Sequence, residues 1–386
     1  MKILIIRNYP TYMSVEKNTY NIQEVGLAKA LVRRGHVCDI LFWTDRTEES
    51  VEIPVSNDGV VHVFYRHGKT LLKNTVFTGC ADLFTQYDVL QPAEYNQMQA
   101  WLLAKNQPDK TVIYHGPYYS AFNKRYNLLC AVFDRFFLKN YIKQNSIFLV
   151  KSTLAKDFLE KKGIPASNIS VAGVGIDTQM LSPGKAICNE KVYLQMKEQK
   201  EGPKILYVGR FEARRDIPFL FHTFSCLLHL CPQARLYLIG SGTKKYLQQS
   251  FDYARRLGIY ERTAWQERVE QRYLSNVYSL ADFFLLPTEY EIFGMVLLEA
   301  MYYKSVVLTT KNGGSSMLIE NEKNGFILEK DPIEWANCIK KTYENKPRMK
   351  EIQENAFAKI EKQFTWDRLA EGFFEQYQVK AMEERR

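Results

Sequence analysis

The stretch PTEYEIFGMVLLEAM, residues 287–301, concentrates side chains that could do chemistry. An apolar run at 283–286 reads as a strand, a loop follows, and a helical pattern opens near Gly294. A helix that starts just after a strand aims several free backbone N–H groups at one spot, which makes an anion site. Gly294 has no Cβ and lets a ligand approach the backbone closely. Glu291 precedes the helix and Glu299 lies inside it, so at about 1.5 Å per residue they sit on the order of 10 Å apart. A glycosidase needs its two carboxylates roughly 5–9.5 Å apart around one bond. The wider spacing suits two contacts at opposite ends of an extended ligand. His115 ends another apolar run, in VIYHGP at 112–117, at the edge where a doubly wound sheet binds ligands.

Short β-branched runs alternate with longer helical patterns along the whole chain, as parallel α/β units require. Strands are expected at 2–6, 36–42, 60–64, 111–115, 147–150 and 169–171. A second series is expected at 204–208, 235–239, 283–286 and 306–308. Residues 20–34 place Ile22, Val25, Leu27, Ala28, Leu31 and Val32 on one face of a helix that ends at Gly35. Residues 182–203 carry Pro, Gly and charge with poor periodicity, and read as the end of a first domain plus a linker. Two tandem doubly wound sheets place ligands at the C-terminal ends of their strands.

The 287–301 stretch strongly resembles the hallmark of glycosyltransferase family 4, E-x-F-G-x-x-x-x-E-A-M, matched here by Glu291, Phe293, Gly294, Glu299, Ala300 and Met301. Two glutamates at that spacing alone carry no information; the FG, the EAM and the preceding strand make the match specific. ILYVGRFEARRDI, at 205–217, is similar to the family's strand, V-G-R, and a second basic residue five positions on. Arg210 fits, Arg215 stands where Lys is usual, and Asp216 replaces a glycine. Softer matches are the glycine turn at 239–242, the base-binding strand and turn at 264–269 with Arg268 in place of glycine, and Gly313-Gly314. GVGID at 173–177 and the final helix at 364–377 match too, so the resemblance covers nearly the whole chain and is strongest from 204 to 328.

The resemblance implies the GT-B fold: two Rossmann-like, doubly wound parallel-sheet domains facing a cleft. An acceptor-side domain would occupy 1–185 and a nucleotide-sugar domain 203–364, with a helix at 365–386 crossing back to the first. It implies a retaining transferase using a nucleotide-diphosphate sugar, a UDP-sugar favoured over a GDP-sugar, with no metal or other cofactor. The acceptor would be a glycan or glycolipid, in cell-surface polysaccharide synthesis. Glu291 would contact the donor sugar near the reacting centre, and Glu299 the ribose hydroxyls. Amides around Phe293, Gly294, Met295 and Val296 would hold sugar or phosphate oxygens. Arg210 and Arg215 would stabilise the leaving diphosphate, since cations can do so without a metal. Arg268 would lie by the base and His115 beside the donor sugar. One departure concerns the Gly-Gly turn many members carry before the first helix, replaced here at 16–21 by EKNTYN. Side chains cannot cradle phosphate as backbone does, so Asn18, Thr19 and Asn21 are expected to read the acceptor.

Other classes fit less well. A nicotinamide enzyme needs G-x-G-x-x-G after its first strand, but the turn here is Arg7-Asn8-Tyr9-Pro10. No Asp-x-Asp of a metal-dependent transferase occurs. Two readings stay open beside transfer: a same-fold sugar-nucleotide epimerase, and an inactive glycan- or nucleotide-binding module, against which the intact Glu291 and Glu299 argue. Seven scattered cysteines without a CxxC point to free thiols in a reducing compartment. MKILIIRNYP reads as a strand rather than a signal peptide, and no apolar run reaches the roughly 18–20 residues of a bilayer span. The expected location is cytoplasmic, including the inner face of the membrane. The net charge of +9 asks for anionic partners, yet no basic run is dense enough for nucleic acid. Residues 133–143, FDRFFLKNYIK, place Phe133, Phe136, Phe137 and Tyr141 on one helical side and Arg135, Lys139 and Lys143 on another. Such a helix can lie on an anionic bilayer; it can equally pack its aromatic stripe on a sheet.

Overall fold

The structure is a computed structural model that describes residues 1–16, 19–56, 59–181 and 188–383. The chain forms two compact units, Met1–Asp177 with the C-terminal stretch from Thr365, and Thr178–Phe364. The first holds β1 (Lys2–Arg7), β2 (Val37–Trp43), β3 (Glu49–Ser56), β4 (Gly59–Arg66), β5 (Lys69–Leu71) and β6 (Asn74–Val76). It continues with β7 (Val89–Pro92), β8 (Val112–His115), β9 (Ile147–Val150) and β10 (Ile169–Val171). The sheet runs β3-β4-β2-β1-β7, and parallel bridges Leu90–Thr111 and Ala93–Tyr114 carry it on to β8-β9-β10. Only β3 is antiparallel to its neighbour in this sheet; β5 and β6 form a separate hairpin. Of these strands the sequence reading missed β3, β5, β6 and β7. In β3, ESVEIPVS, charge and Pro54 mask the strand pattern, as suits an edge strand. In β7, VLQP supplies only two strongly apolar residues.

Ile3 to Ile6 are buried on both faces of the sheet, which a parallel sheet covered by helices requires. One cover is the helix Gln23–Arg33, which buries Val25, Leu27, Ala28, Leu31 and Val32 and is followed by Gly35 at φ 82°. The C-terminal helix Trp366–Glu383 packs on it, and Trp366 is buried. A Cβ on Gly26 would lie 2.2 Å from the Trp366 indole nitrogen, and one on Gly175 would lie 2.7 Å from the Trp366 amide nitrogen. The Trp366 N–H donates to the Ile176 carbonyl at 3.1 Å, so GVGID is the seat of the returning helix.

The second unit has β11 (Lys204–Val208), β12 (Arg235–Ile239), β13 (Thr263–Gln266), β14 (Phe283–Leu286), β15 (Val306–Thr309) and β16 (Phe326–Ile327). All pair in parallel, in the order β13-β12-β11-β14-β15-β16. Part of the stretch expected as a linker, 182–203, is folded into the second unit instead. Residues 182–187 lie outside the described residues, but the helix Lys191–Glu198 buries Val192 and Met196 in the second unit, and the Val192 N–H donates to Gln266 at 3.1 Å. Its short apolar face, set among charges, gave too faint a period to read.

The aromatic–basic stripe at 133–143 is also rearranged. Helix Lys124–Phe133 passes into a π turn, Asp134–Leu138, and then helix Lys139–Lys143. Phe133 and Tyr141 are buried, and Phe137 packs edge-on against Trp101 at 4.8 Å. Phe136, expected on the same side, is turned to solvent. A π turn holds one residue more than an α turn, which breaks the assumed 3.6-residue register.

Candidate active site

In both units successive strands move first to one side of the opening strand and then to the other. The order reverses between β1 and β7 and between β11 and β14, and the crevice at such a switch point is where doubly wound sheets bind ligands. In the second unit, loops 209–216 and 287–294 meet there. The Glu289 N–H and the Thr288 hydroxyl both donate to the Arg214 carbonyl, at 2.8 and 3.1 Å. The Glu291 carboxylate pairs with Arg215 Nη2 at 2.5 Å and Arg214 Nη1 at 3.2 Å, and Arg214 also donates to the Tyr290 carbonyl at 2.9 Å. Arg215 is buried, and its Nε and Nη1 have no hydrogen-bond partner among the described residues. Two N–H-bearing groups of a buried cation are thus left without an acceptor among the described residues. Arg210 is exposed; its carbonyl accepts from the Tyr207 hydroxyl at 2.8 Å, and burial raises the pKa of that phenol.

Gly294 sits at φ 82° and opens the helix Met295–Tyr302. Phe293 is buried; Met295 and Val296 are half-buried, in a first turn whose N–H groups find no acceptor within a helix. Glu299 is buried one turn further on, and its Oε2 accepts from the Tyr278 hydroxyl at 2.7 Å. The structure therefore joins Glu291 to arginines and Glu299 to a tyrosine. Gly313 and Gly314 let the loop after β15 press against this one: added Cβ atoms would lie 2.0 Å from the Ile292 oxygen and 1.6 Å from the Phe293 oxygen. The Gly313 N–H donates to the Glu291 carbonyl at 3.0 Å. Gly240 serves the same end, its Cβ position lying 1.8 Å from the Gly209 oxygen. Asp216 takes the left-handed φ of 45° that favours glycine, but its carboxylate also caps the next helix at Phe219 and binds Lys330 at 2.6 Å. Arg268 is exposed in the turn after β13, and its carbonyl accepts from Gln266.

In the first unit His115 is wholly buried at the end of β8, with Nδ1 2.7 Å from Glu94 Oε2. Tyr95 meets its ring edge-on at 5.1 Å and Phe158 stacks at 5.7 Å, while Nε2 is buried without a partner among the described residues. Glu94, at φ 59°, also accepts from the Gly116 amide at 2.9 Å and lies 3.8 Å from Lys151 Nζ. Burial alone would raise its pKa; Lys151, His115 and the Gly116 amide outweigh it and hold the carboxyl below the usual 4.5. A cavity of about 330 Å³ opens at this switch point, lined by Arg7, Asn21, Glu24, Glu94 and Lys151 among others. Arg7 pairs with Glu24 at 2.9 Å. Of the expected acceptor residues, Asn21 lines the cavity, Thr19 is buried, and Asn18 lies outside the described residues.

Sequence reasoning missed Arg214, Glu94, Arg7 and Glu24. Arg7 ends β1, where the switch-point rule points, and Arg214 adjoins a residue already singled out. Glu94 gave no signal, because only a backbone turned to positive φ brings it under His115.

Tandem doubly wound units, one with a glutamate–arginine cluster at a helix start, define a class that comparison with known proteins narrows. Residues 194–359 match the family described as glycosyl transferases group 1, which bears out the resemblance over that stretch. The chain is 26% identical over 241 residues to a D-inositol 3-phosphate glycosyltransferase of Xylanimonas cellulosilytica, 59% of this chain and 56% of that protein. It is 27% identical over 242 residues to a lipopolysaccharide 1,2-N-acetylglucosaminetransferase of Salmonella typhimurium, 59% of this chain and 61% of that one. It thus spans little more than half the length of these relatives. Among solved structures, Anabaena HepE in complex with UDP matches with a TM-score of 0.73 at 16% identity, over 98% of this chain and 100% of that one. Sucrose-phosphate synthase from Thermosynechococcus elongatus matches with a TM-score of 0.73 at 16% identity, over 98% and 99%. These two share its fold.

Proposed function

We propose that this protein is a retaining glycosyltransferase that moves a hexose-type sugar from a nucleotide diphosphate to a glycan or glycolipid acceptor. The observation that carries the reading is the Glu291–Arg214–Arg215 cluster at the helix start opened by Gly294, within the stretch that matches glycosyl transferases group 1. The diphosphate would lie against Arg215, the exposed Arg210 and the first-turn amides of Met295 and Val296. As the bond from the anomeric carbon to the phosphate oxygen breaks, these groups take up the developing charge without a metal. The acceptor hydroxyl bonds to that carbon on the face the phosphate leaves, and its proton passes to the departing phosphate oxygen. Glu291 would orient the sugar and Glu299 the ribose.

The acceptor would enter the cavity beside Glu94. Its charges are already matched, Arg7 with Glu24 and Lys151 with Glu94, so it presents alternating donors and acceptors rather than net charge. Neutral sugar hydroxyls, which both donate and accept, suit that lining better than a phosphate. The solved structure named for its complex with UDP leans the donor toward a UDP-sugar.

Thermal shift with UDP and GDP, followed by product analysis with a UDP-sugar, tests this. UDP should raise the melting temperature, transfer should survive EDTA, and Arg215→Ala should cost at least ~100-fold in kcat/KM. Activity lost to EDTA and restored by magnesium would overturn the arginine mechanism, and an isomerised donor would make the enzyme an epimerase.

A further inference from the structure

The rearranged helix of the first unit leaves an outward apolar face. Leu128, Leu129, Val132 and Phe136 are 66%, 45%, 53% and 68% exposed, and they run in line along helix Lys124–Phe133 into the π turn. Tyr119 and Phe122, 67% and 49% exposed, extend the face into the loop after His115. Soluble surfaces rarely gather large apolar side chains so closely. The aromatic residues beneath, Phe133, Phe137 and Tyr141, already satisfy the core, so burial on the sheet does not account for the outer face.

The charge around the face is of one sign. Lys124, Arg125, Arg135, Lys139 and Lys143 are all exposed along the same helical stretch. The one acidic residue from 119 to 143, Asp134, is bound by Lys162. We propose that this face docks on an anionic lipid bilayer, with Leu128, Val132 and Phe136 entering the headgroup boundary and the cations meeting lipid phosphates. A helix with a cationic rim and an apolar ridge has the makeup of an interfacial helix. Charge also disfavours a second copy of this chain as the occupant, since an isologous contact would bring five cations against five. The face begins in the loop that leaves β8, at the same strand ends as the cavity beside Glu94. Docking would therefore bring that edge of the unit to the lipid surface.

The test is co-sedimentation of the full chain with vesicles of phosphatidylcholine alone or mixed with phosphatidylglycerol, run beside sedimentation velocity without lipid. Binding should require phosphatidylglycerol and fade with salt. Arg135→Gln/Lys139→Gln/Lys143→Gln should weaken it on the order of 100-fold. Leu128→Ser/Val132→Ser/Phe136→Ser should weaken it by at least ~10-fold. Both variants change exposed side chains; if the apolar variant misfolds by circular dichroism, the charge variant carries the test. Equal binding to neutral vesicles, or to none, overturns the proposal, as does a wild-type dimer that the apolar variant converts to monomer. None of these readouts depends on sugar transfer, so their failure leaves the proposed activity untouched.

Discussion

Glu291 and Glu94 play parallel parts, each a largely buried carboxylate that fixes a basic side chain beside it, Arg214 and Arg215 in one case and His115 in the other. Glu291 was legible because its motif reports a loop that precedes a helix. Its ion pairs were not, because the arginines lie 76 and 77 positions away and arrive by sheet order. Glu94 has a consequence for pH. Its folded pKa lies below the unfolded value near 4.5, so its stabilisation is fully present above that value and is lost as pH falls through the folded one. Glu94→Gln should therefore be less stable than wild type by about 1–3 kcal/mol at neutral pH. The gap should narrow as pH falls below the unfolded value and through the lower folded one. Urea unfolding of both proteins across that range checks this; a gap unchanged in acid would mean that the charge of Glu94 contributes nothing.

At the scale of elements, glycine decides how closely the site loops approach. The turn at Gly313-Gly314 could be read from sequence, but the need for glycine there could not. The backbone is free of strain, and the constraint is the Phe293 oxygen, 1.6 Å from where a Gly314 Cβ would stand. Gly372 is the contrast, with nothing near its Cβ position, exposed on the C-terminal helix. Gly314→Ala should cost about 1–3 kcal/mol by pushing the 291–293 loop away, and should weaken UDP binding with it. Gly372→Ala should stabilise by about 0.5–1 kcal/mol, since alanine loses less backbone entropy in a helix. Denaturation midpoints of the two variants decide the matter: equal effects would refute the close-approach reading.

For the whole molecule, the first unit is closed by the last helix of the chain. Trp366 fills space left by Gly26 and Gly175, and Phe373 and Tyr377 are buried further along the same helix. Trp366→Ala should cost about 3–5 kcal/mol, the usual loss for a buried indole. A shift under about 1 kcal/mol in chemical denaturation would show that the helix is a surface attachment.

The alternation of strand and helix, the switch to a second series at 204, the site loops and the Glu291–Met301 motif were all written in local order, because hydrophobic period and turn chemistry are properties of neighbouring residues. Only the tertiary structure decided that Arg214 and Arg215 share Glu291, that Glu94 lies under His115, and that residues 191–198 pack in the second unit. It also decided that Phe136 leaves its stripe for solvent. Those outcomes depend on strand order, on one positive φ at Glu94 and on one π turn. None of the three imposes a period on the sequence, so a linear reading has nothing from which to recover them.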